Sequence, residues 1–165
     1  MRPDMSGDHY RYRKDKTHLS STFKLPIDDG HQNGYYYLKV YIWNNEEGMY
    51  ANVLPRGDPQ WDSGKYQACC LLMPYEEDID TGEKFYPKFQ AEIHLVLNEF
   101  GVEVVAHELT HWLMGWMQQQ ETDLSKGDDV EAICRVNGEM NKKFWNAFYK
   151  RYEVSEGKSE LCQRN

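Results

Sequence analysis

The chain has 165 residues, of which 40% are hydrophobic, and a formal net charge of −8 at pH 7. This length suits one domain with a hydrophobic core, so we expect residues 1–165 to form a single domain. Residues 1–24 carry six Lys and Arg against three Asp, whereas the rest carries 13 against 24 acidic residues. A mainly acidic body argues against nucleic acid as the main partner.

The N-terminal third begins with polar residues. Proline and glycine interrupt residues 1–33, and we expect a loosely ordered arm over about residues 1–22. Met1–Gly7 has no apolar run of the signal-peptide type, and no later stretch has the length and purity of a membrane span. We therefore expect a cytoplasmic location and no membrane partner. The basic segment Arg11–Lys16 could contact an anionic partner, although a solvated arm is the simpler interpretation.

Four segments predict strands of a small antiparallel sheet. Tyr35–Trp43 is aromatic and β-branched, as strands commonly are. Residues 44–48 resemble a turn, after which Met49–Leu54 is expected to pair back as a second strand. Tyr66–Met73 contains a continuous apolar run, and Phe89–Leu97 carries apolar residues at alternate positions, which is the period of a strand.

The cysteines do not have the spacing of a structural zinc site. None of the four forms a Cys-x-x-Cys pair. Cys69 and Cys70 are adjacent on a predicted strand and point to opposite faces, which is typical of core residues in a reducing compartment. The four are Cys69, Cys70, Cys134 and Cys162.

The most informative motif is His-Glu-x-x-His at residues 107–111, inside a run with helical periodicity. Residues four apart lie on one helix face, so the imidazoles of His107 and His111 can converge on one cation. Between them Glu108 can accept a proton from water bound to that cation. A chance match, with ordinary helix residues, is the plain alternative. A neighbouring apolar stripe favours a packed helix instead: Val105, Leu109, Trp112, Leu113 and Trp116.

A third metal ligand is expected downstream, because catalytic zinc usually has three protein ligands and one open position. Glu131 is the best candidate, since it opens a second helix predicted over about Asp129–Tyr149 and follows a polar connection. Two imidazoles and one carboxylate favour zinc over other divalent ions. One alternative is a capping box in which Asp128 is the N-cap and Glu131 its partner. The fallback ligands are Asp123, Asp128 and Asp129.

The motif followed by Glu131 in Glu-Ala-Ile resembles the gluzincin branch of the zincin metallopeptidases, over about a fifth of the chain. The resemblance implies one zinc ion held by His107, His111 and Glu131, with Glu108 as the general base. It departs from the family at Arg135, where an acidic residue usually follows the glutamate ligand by four positions. Either another group orients a ligand histidine, or the third ligand is a different residue.

The resemblance also implies where a substrate would lie. In zincins the sheet covers the active helix, and an edge strand aligns an extended substrate. That edge would be Phe89–Leu97 or Tyr66–Met73. The predicted elements give an α+β fold with about four antiparallel strands, then the motif helix and a second packed helix. This is a minimal zincin-like domain with a polar tail over about residues 154–165.

These features predict a zinc metallopeptidase that hydrolyses peptide bonds of a specific intracellular protein, through a metal-bound water that Glu108 activates. A further hydrogen-bond donor should stabilise the oxyanion of the tetrahedral intermediate. The sequence spacing does not favour any one of four candidate residues for this role. The alternative is a non-catalytic zinc-binding module that docks on or inhibits a partner protein through an aromatic surface, including Tyr41 and Trp43. The oligomeric state stays open. The four possible donors are His94, Tyr149, Tyr152 and Arg135.

Overall fold

The protein folds into a sheet packed with helices. The computed structural model describes residues 15–27, 36–53, 68–73, 76–85 and 89–162. The α+β class expected from the sequence is confirmed. The described strands are β1 Leu19–Ile27, β2 Tyr36–Trp43, β3 Ala68–Leu72, β4 Glu76–Glu77, β5 Lys84–Phe85 and β6 Phe89–Val96. The helices are α1 Glu46–Val53, α2 Val102–Gln119 and α3 Gly127–Cys162.

The main sheet is mixed, so the prediction of an antiparallel sheet is wrong. Its strand order is β1-β2-β6-β3. β2 runs antiparallel to β1 but parallel to β6, and β3 pairs antiparallel with β6. A parallel pair requires a long crossover connection rather than a tight turn, and the chain between Trp43 and Phe89 provides it. A separate short hairpin joins β4 to β5.

A helix replaces the predicted turn and strand at residues 44–54. Asn45 caps α1, because its side-chain oxygen accepts a hydrogen bond from the Gly48 amide at 2.9 Å. Glu46 and Glu47 occupy the first turn, where the helix dipole favours negative charge. Met49 and Val53, four residues apart, are buried together on this helix. The apolar residues therefore follow helical spacing; Leu54 lies outside the described residues.

The two faces of the sheet bury different sets of residues. Alternate residues of β2 and β6 pack with α2 and α3 in the larger cluster. The predicted stripe of α2 is confirmed, since all five of its residues are buried. The residues of the opposite face pack against α1 in a smaller cluster, which includes Tyr41, Trp43, Met49, Val53, Cys69 and Val96.

The C-terminal helix is longer than predicted at both ends. α3 begins at Gly127 and continues to Cys162, through most of the polar tail predicted over about residues 154–165. Residues 150–162 contain no proline and a single glycine, so few residues there oppose a helix. The predicted arm also overlaps β1, which begins at Leu19; residues 1–14 and 163–165 lie outside the described part of the chain.

The strand order decides which predicted strand can align a substrate. β3 lies at one edge of the described sheet, whereas β6 pairs on both sides and is interior. The motif helix α2 packs against β3. Of the two strands considered, only Tyr66–Met73 therefore contains an edge strand. No helix among the described residues combines the length and apolar character needed to cross a membrane.

Candidate functional site

The histidines of the motif meet on the exposed side of α2. His107 and His111 are both exposed, and their Nε2 atoms lie 3.0 Å apart. At the usual zinc–imidazole distance, a separation of 3.0 Å corresponds to an N–metal–N angle of about 95°. The spacing therefore fits one shared ion. In this arrangement one of the two Nε2 atoms donates a hydrogen bond to the other. A metal ion that binds both nitrogens must displace the proton of that hydrogen bond.

Glu108 points sideways from this pair into a buried position. Its relative exposure is 7%. Burial raises the pKa of Glu108 from an ordinary value of 4.5 to about 7, while a hydrogen bond from the Cys70 backbone amide lowers it in part. A carboxyl group with a pKa near neutrality can both accept and return a proton at neutral pH.

Cys70 connects the motif helix to the edge strand. In β3, Cys70 lies opposite Ile93 of β6 and beside Glu108 of α2. Burial, and then the charge of Glu108, raises the pKa of the Cys70 thiol far above its ordinary range, so it stays protonated. The carboxyl group of Glu108 consequently lies at the junction of α2 and the edge strand.

Gly115 allows a close contact between α2 and β3 that sequence reasoning missed. A Cβ atom at Gly115 would lie 3.1 Å from both terminal carbons of Leu72. Leu72 remains 48% exposed, although it packs against the helix. A glycine inside an otherwise favourable helix was the available signal, since it commonly marks such a close approach.

The structure does not group Glu131 with the histidine pair. Among the described residues, no group of three or more His, Cys, Asp and Glu side chains is placed to hold a metal ion. His111 lies in α2, eight residues before its end, whereas Glu131 is exposed in the second turn of α3.

The aspartates of the α2–α3 connection hold the turn together. Asp129 accepts a hydrogen bond from the Asp123 amide at 2.8 Å. Asp123 accepts hydrogen bonds from the hydroxyl and the amide of Ser125, and these lower the pKa of Asp123. Asp128 lies inside the first turn of α3 rather than at its N-cap, so the capping-box interpretation is wrong. These hydrogen bonds give Asp123 and Asp129 a structural role in the turn.

His94 is buried on the sheet face opposite α2. Its exposure is 0%. The Trp43 indole donates a hydrogen bond to Nδ1 at 3.0 Å, and Nε2 lies 3.1 Å from Glu92. With both ring nitrogens engaged, His94 is not placed to reach an oxyanion near His107. Tyr41 stacks on His94 and Trp43 is fully buried, so neither contributes to the expected aromatic docking surface.

The remaining donor candidates lie on α3. The Tyr152 hydroxyl lies 2.9 Å from Ser20 Oγ near β1, the edge opposite β3. Three strand spacings, about 14 Å, separate these edges. Tyr149 is 46% exposed and packs on Trp145 of its own helix. Arg135 is exposed on α3.

Comparison with known proteins gives no relative from which to transfer a function. No protein-family model, curated protein or solved structure matches this chain. The functional interpretation therefore depends on the geometry of the motif and on the sequence resemblance.

Proposed function

We propose that this protein is a zinc-dependent peptidase. The observation that carries the proposal is the convergence of two exposed imidazoles, at 3.0 Å between Nε2 atoms, beside a buried carboxyl group whose pKa is near 7. Paired imidazoles that are free to bind an ion, together with a proton acceptor, are the groups that metal-assisted hydrolysis requires.

His107 and His111 would hold the ion through Nε2. A bound zinc ion would supply Lewis-acid polarisation of the scissile carbonyl and acidification of water. The Glu108 carboxylate accepts the proton of the attacking water and returns it to the departing amine nitrogen. A nearby zinc ion would lower the pKa of Glu108 from its metal-free value and favour the carboxylate that accepts the proton.

The position of β3 favours an extended protein segment as the substrate. An edge strand offers backbone donors and acceptors to an added strand, and Glu108 lies where α2 meets that edge. A segment paired with β3 would therefore bring a peptide bond close to Glu108. We propose a specific protein substrate on this basis.

Glu131 remains the proposed third ligand, because catalytic zinc usually has three protein ligands and Glu131 lies near the start of the helix that follows the motif helix. The Glu131→Ala variant should therefore bind zinc more weakly. Exposed Glu139 is the matched control on the same helix. Equal affinity of both variants would place the third ligand elsewhere.

A second function is favoured by one observation. The histidine pair is exposed on the surface of α2, where it could also hold zinc in a non-catalytic interaction module that docks on a partner protein. The two functions differ in access to the ion. A peptide hydroxamate should compete for an open position on a catalytic zinc, whereas a closed site would not bind it.

The decisive experiment compares zinc-loaded wild-type protein with Glu108→Gln and Glu47→Gln. Glu47 is exposed in the first turn of α1, which packs on the opposite face of the sheet, so its substitution makes the same charge change away from the motif. Zinc content would be measured by elemental analysis, and cleavage by mass spectrometry of a diverse protein digest. We expect equal zinc in all three and loss of cleavage in Glu108→Gln alone. Cleavage that survives Glu108→Gln would refute the proposed base.

A further inference from the structure

The histidine pair belongs to an exposed stripe of α2 that contains no Asp, Glu, Lys or Arg. Between residues 107 and 118 the only acidic residue, Glu108, is buried, and the segment has no basic residue except the histidines. Met114, one turn after His111, is 59% exposed. The protein has a net charge of −8, so the stripe is an uncharged area on an acidic molecule. The exposed residues of this stripe are His107, Thr110, His111, Met114 and Gln118.

Two imidazoles supply half of the ligands that a closed zinc site contains. Structural zinc sites are almost always tetrahedral, with four protein ligands. His107 and His111 hold their Nε2 atoms 3.0 Å apart on the exposed side of α2. An ion bound between them would therefore lie at the surface of the protein, where a second molecule can reach its remaining positions.

We infer that a second copy of this chain binds to the stripe through a shared zinc ion. A two-fold axis through the ion brings the His107–His111 pair of each copy to it, and the four imidazoles complete a tetrahedral site. The inference rests on the proposed function, since it uses the same two ligands. It adds a closed state to that function, because four imidazoles leave neither a place for Glu131 nor an open position for peptide hydrolysis.

The absence of charge on the stripe favours a second copy as the occupant. Two molecules that each carry a charge of −8 repel one another, and the repulsion is weakest where both present uncharged side chains. A two-fold contact pairs the same surface of both copies, so the stripe meets this condition on each side. Met114 lies one turn from His111 and would fall inside the contact, where a flexible thioether side chain packs well. A basic partner protein would gain no ion pair from these residues.

Sedimentation velocity of the full-length protein during a zinc titration tests the inference. The dimer takes one ion for two chains, whereas the proposed peptidase state takes one ion for each chain. By mass action, the dimer fraction should reach a maximum at about half an equivalent of zinc per chain and fall again in excess zinc. Excess chelator should return the protein to the monomer.

Two matched variants separate the contact from the metal site. Met114→Lys places like charges inside the contact and should weaken dimerisation by about tenfold or more. Leu124→Lys makes the same charge change in the α2–α3 connection, at a residue that is 64% exposed, and should dimerise like the wild type. Elemental analysis should find zinc retained in both variants. His111→Ala should lose both the zinc and the dimer.

The possible failures of the inference and of the proposed function differ. Protein that binds zinc but stays monomeric at every ratio would overturn the inference alone, as would a dimer that survives the chelator or equal dimerisation of Met114→Lys and Leu124→Lys. Protein that binds no zinc would refute the proposed function and the inference together. Circular dichroism establishes that each variant is folded. If Met114→Lys does not fold, Thr110→Lys tests the same stripe by the same titration.

Discussion

Replacing Glu108 by Gln should change how the stability of the metal-free protein depends on pH. Glu108 is 7% exposed, and burial raises its pKa from 4.5 to about 7. The folded state therefore holds this proton more tightly than the unfolded chain does. Stability from the protonated carboxyl group is fully present below about pH 4.5 and is lost as pH rises through about 7.

The size of the effect follows from the pKa difference. A shift from 4.5 to about 7 corresponds to about 3 kcal/mol at the alkaline limit, at 1.36 kcal/mol per pKa unit. Between about pH 5 and pH 8 the loss is about 2.5 kcal/mol, taken as an upper limit. Gln has nearly the same shape and does not ionise, so the variant should lack this loss.

Urea unfolding in the presence of a chelator, followed by tryptophan fluorescence, measures the free energy of unfolding at each pH. The stability of Glu108→Gln relative to wild type should rise by about 2.5 kcal/mol from about pH 5 to pH 8. The control Glu139→Gln removes an exposed carboxylate from α3 and should show no comparable trend. A difference between Glu108→Gln and wild type that is constant across this range, or falls with pH, would refute the assigned burial of Glu108.

Three further predictions concern the same region. Gly115→Ala should gain less stability in urea unfolding than Gly138→Ala. Both changes improve helix propensity by about 1 kcal/mol, but the new methyl group at Gly115 would displace Leu72, whereas the one at Gly138 meets open space. Equal effects would contradict the close contact. His94→Ala should destabilise the protein by about 3–5 kcal/mol, because it empties a fully buried position and removes the acceptor of the Trp43 indole hydrogen bond. His111→Ala should abolish stoichiometric zinc binding in equilibrium dialysis, whereas Thr110→Ala should retain it.

The helices that carry the motif could be predicted because their signals are local. The apolar stripe of α2 and the i,i+4 spacing of its histidines belong to one segment, and both are present in the structure. α1 was missed because Met49 and Val53 suit either a strand or a helix over so few residues. The Asn45 cap was the local signal that could have decided between them.

The arrangement of the site could not be predicted because it depends on which elements become neighbours. Sequence spacing places Glu131 twenty residues after His111, but the packing of α2 against α3 decides whether their side chains meet. His94 looks like a possible donor from its residue type alone. Alternation along β6 puts it on the sheet face away from α2, and the contact with Trp43 joins residues 51 positions apart.

The parallel pairing of β2 with β6 also bears on how the chain reaches its native state. Val40 and Ile93 are partners in the centre of the sheet, although about 50 residues separate them along the chain. Closing so large a loop costs conformational entropy before the β2–β6 contacts form and stabilise the chain. The β1–β2 hairpin and the α2–α3 pair join nearby segments and carry a smaller entropy cost. The His-bearing helix should thus be able to form early, while its supporting surface assembles late. A ligand that binds only α2 would then do little to accelerate folding to the native topology.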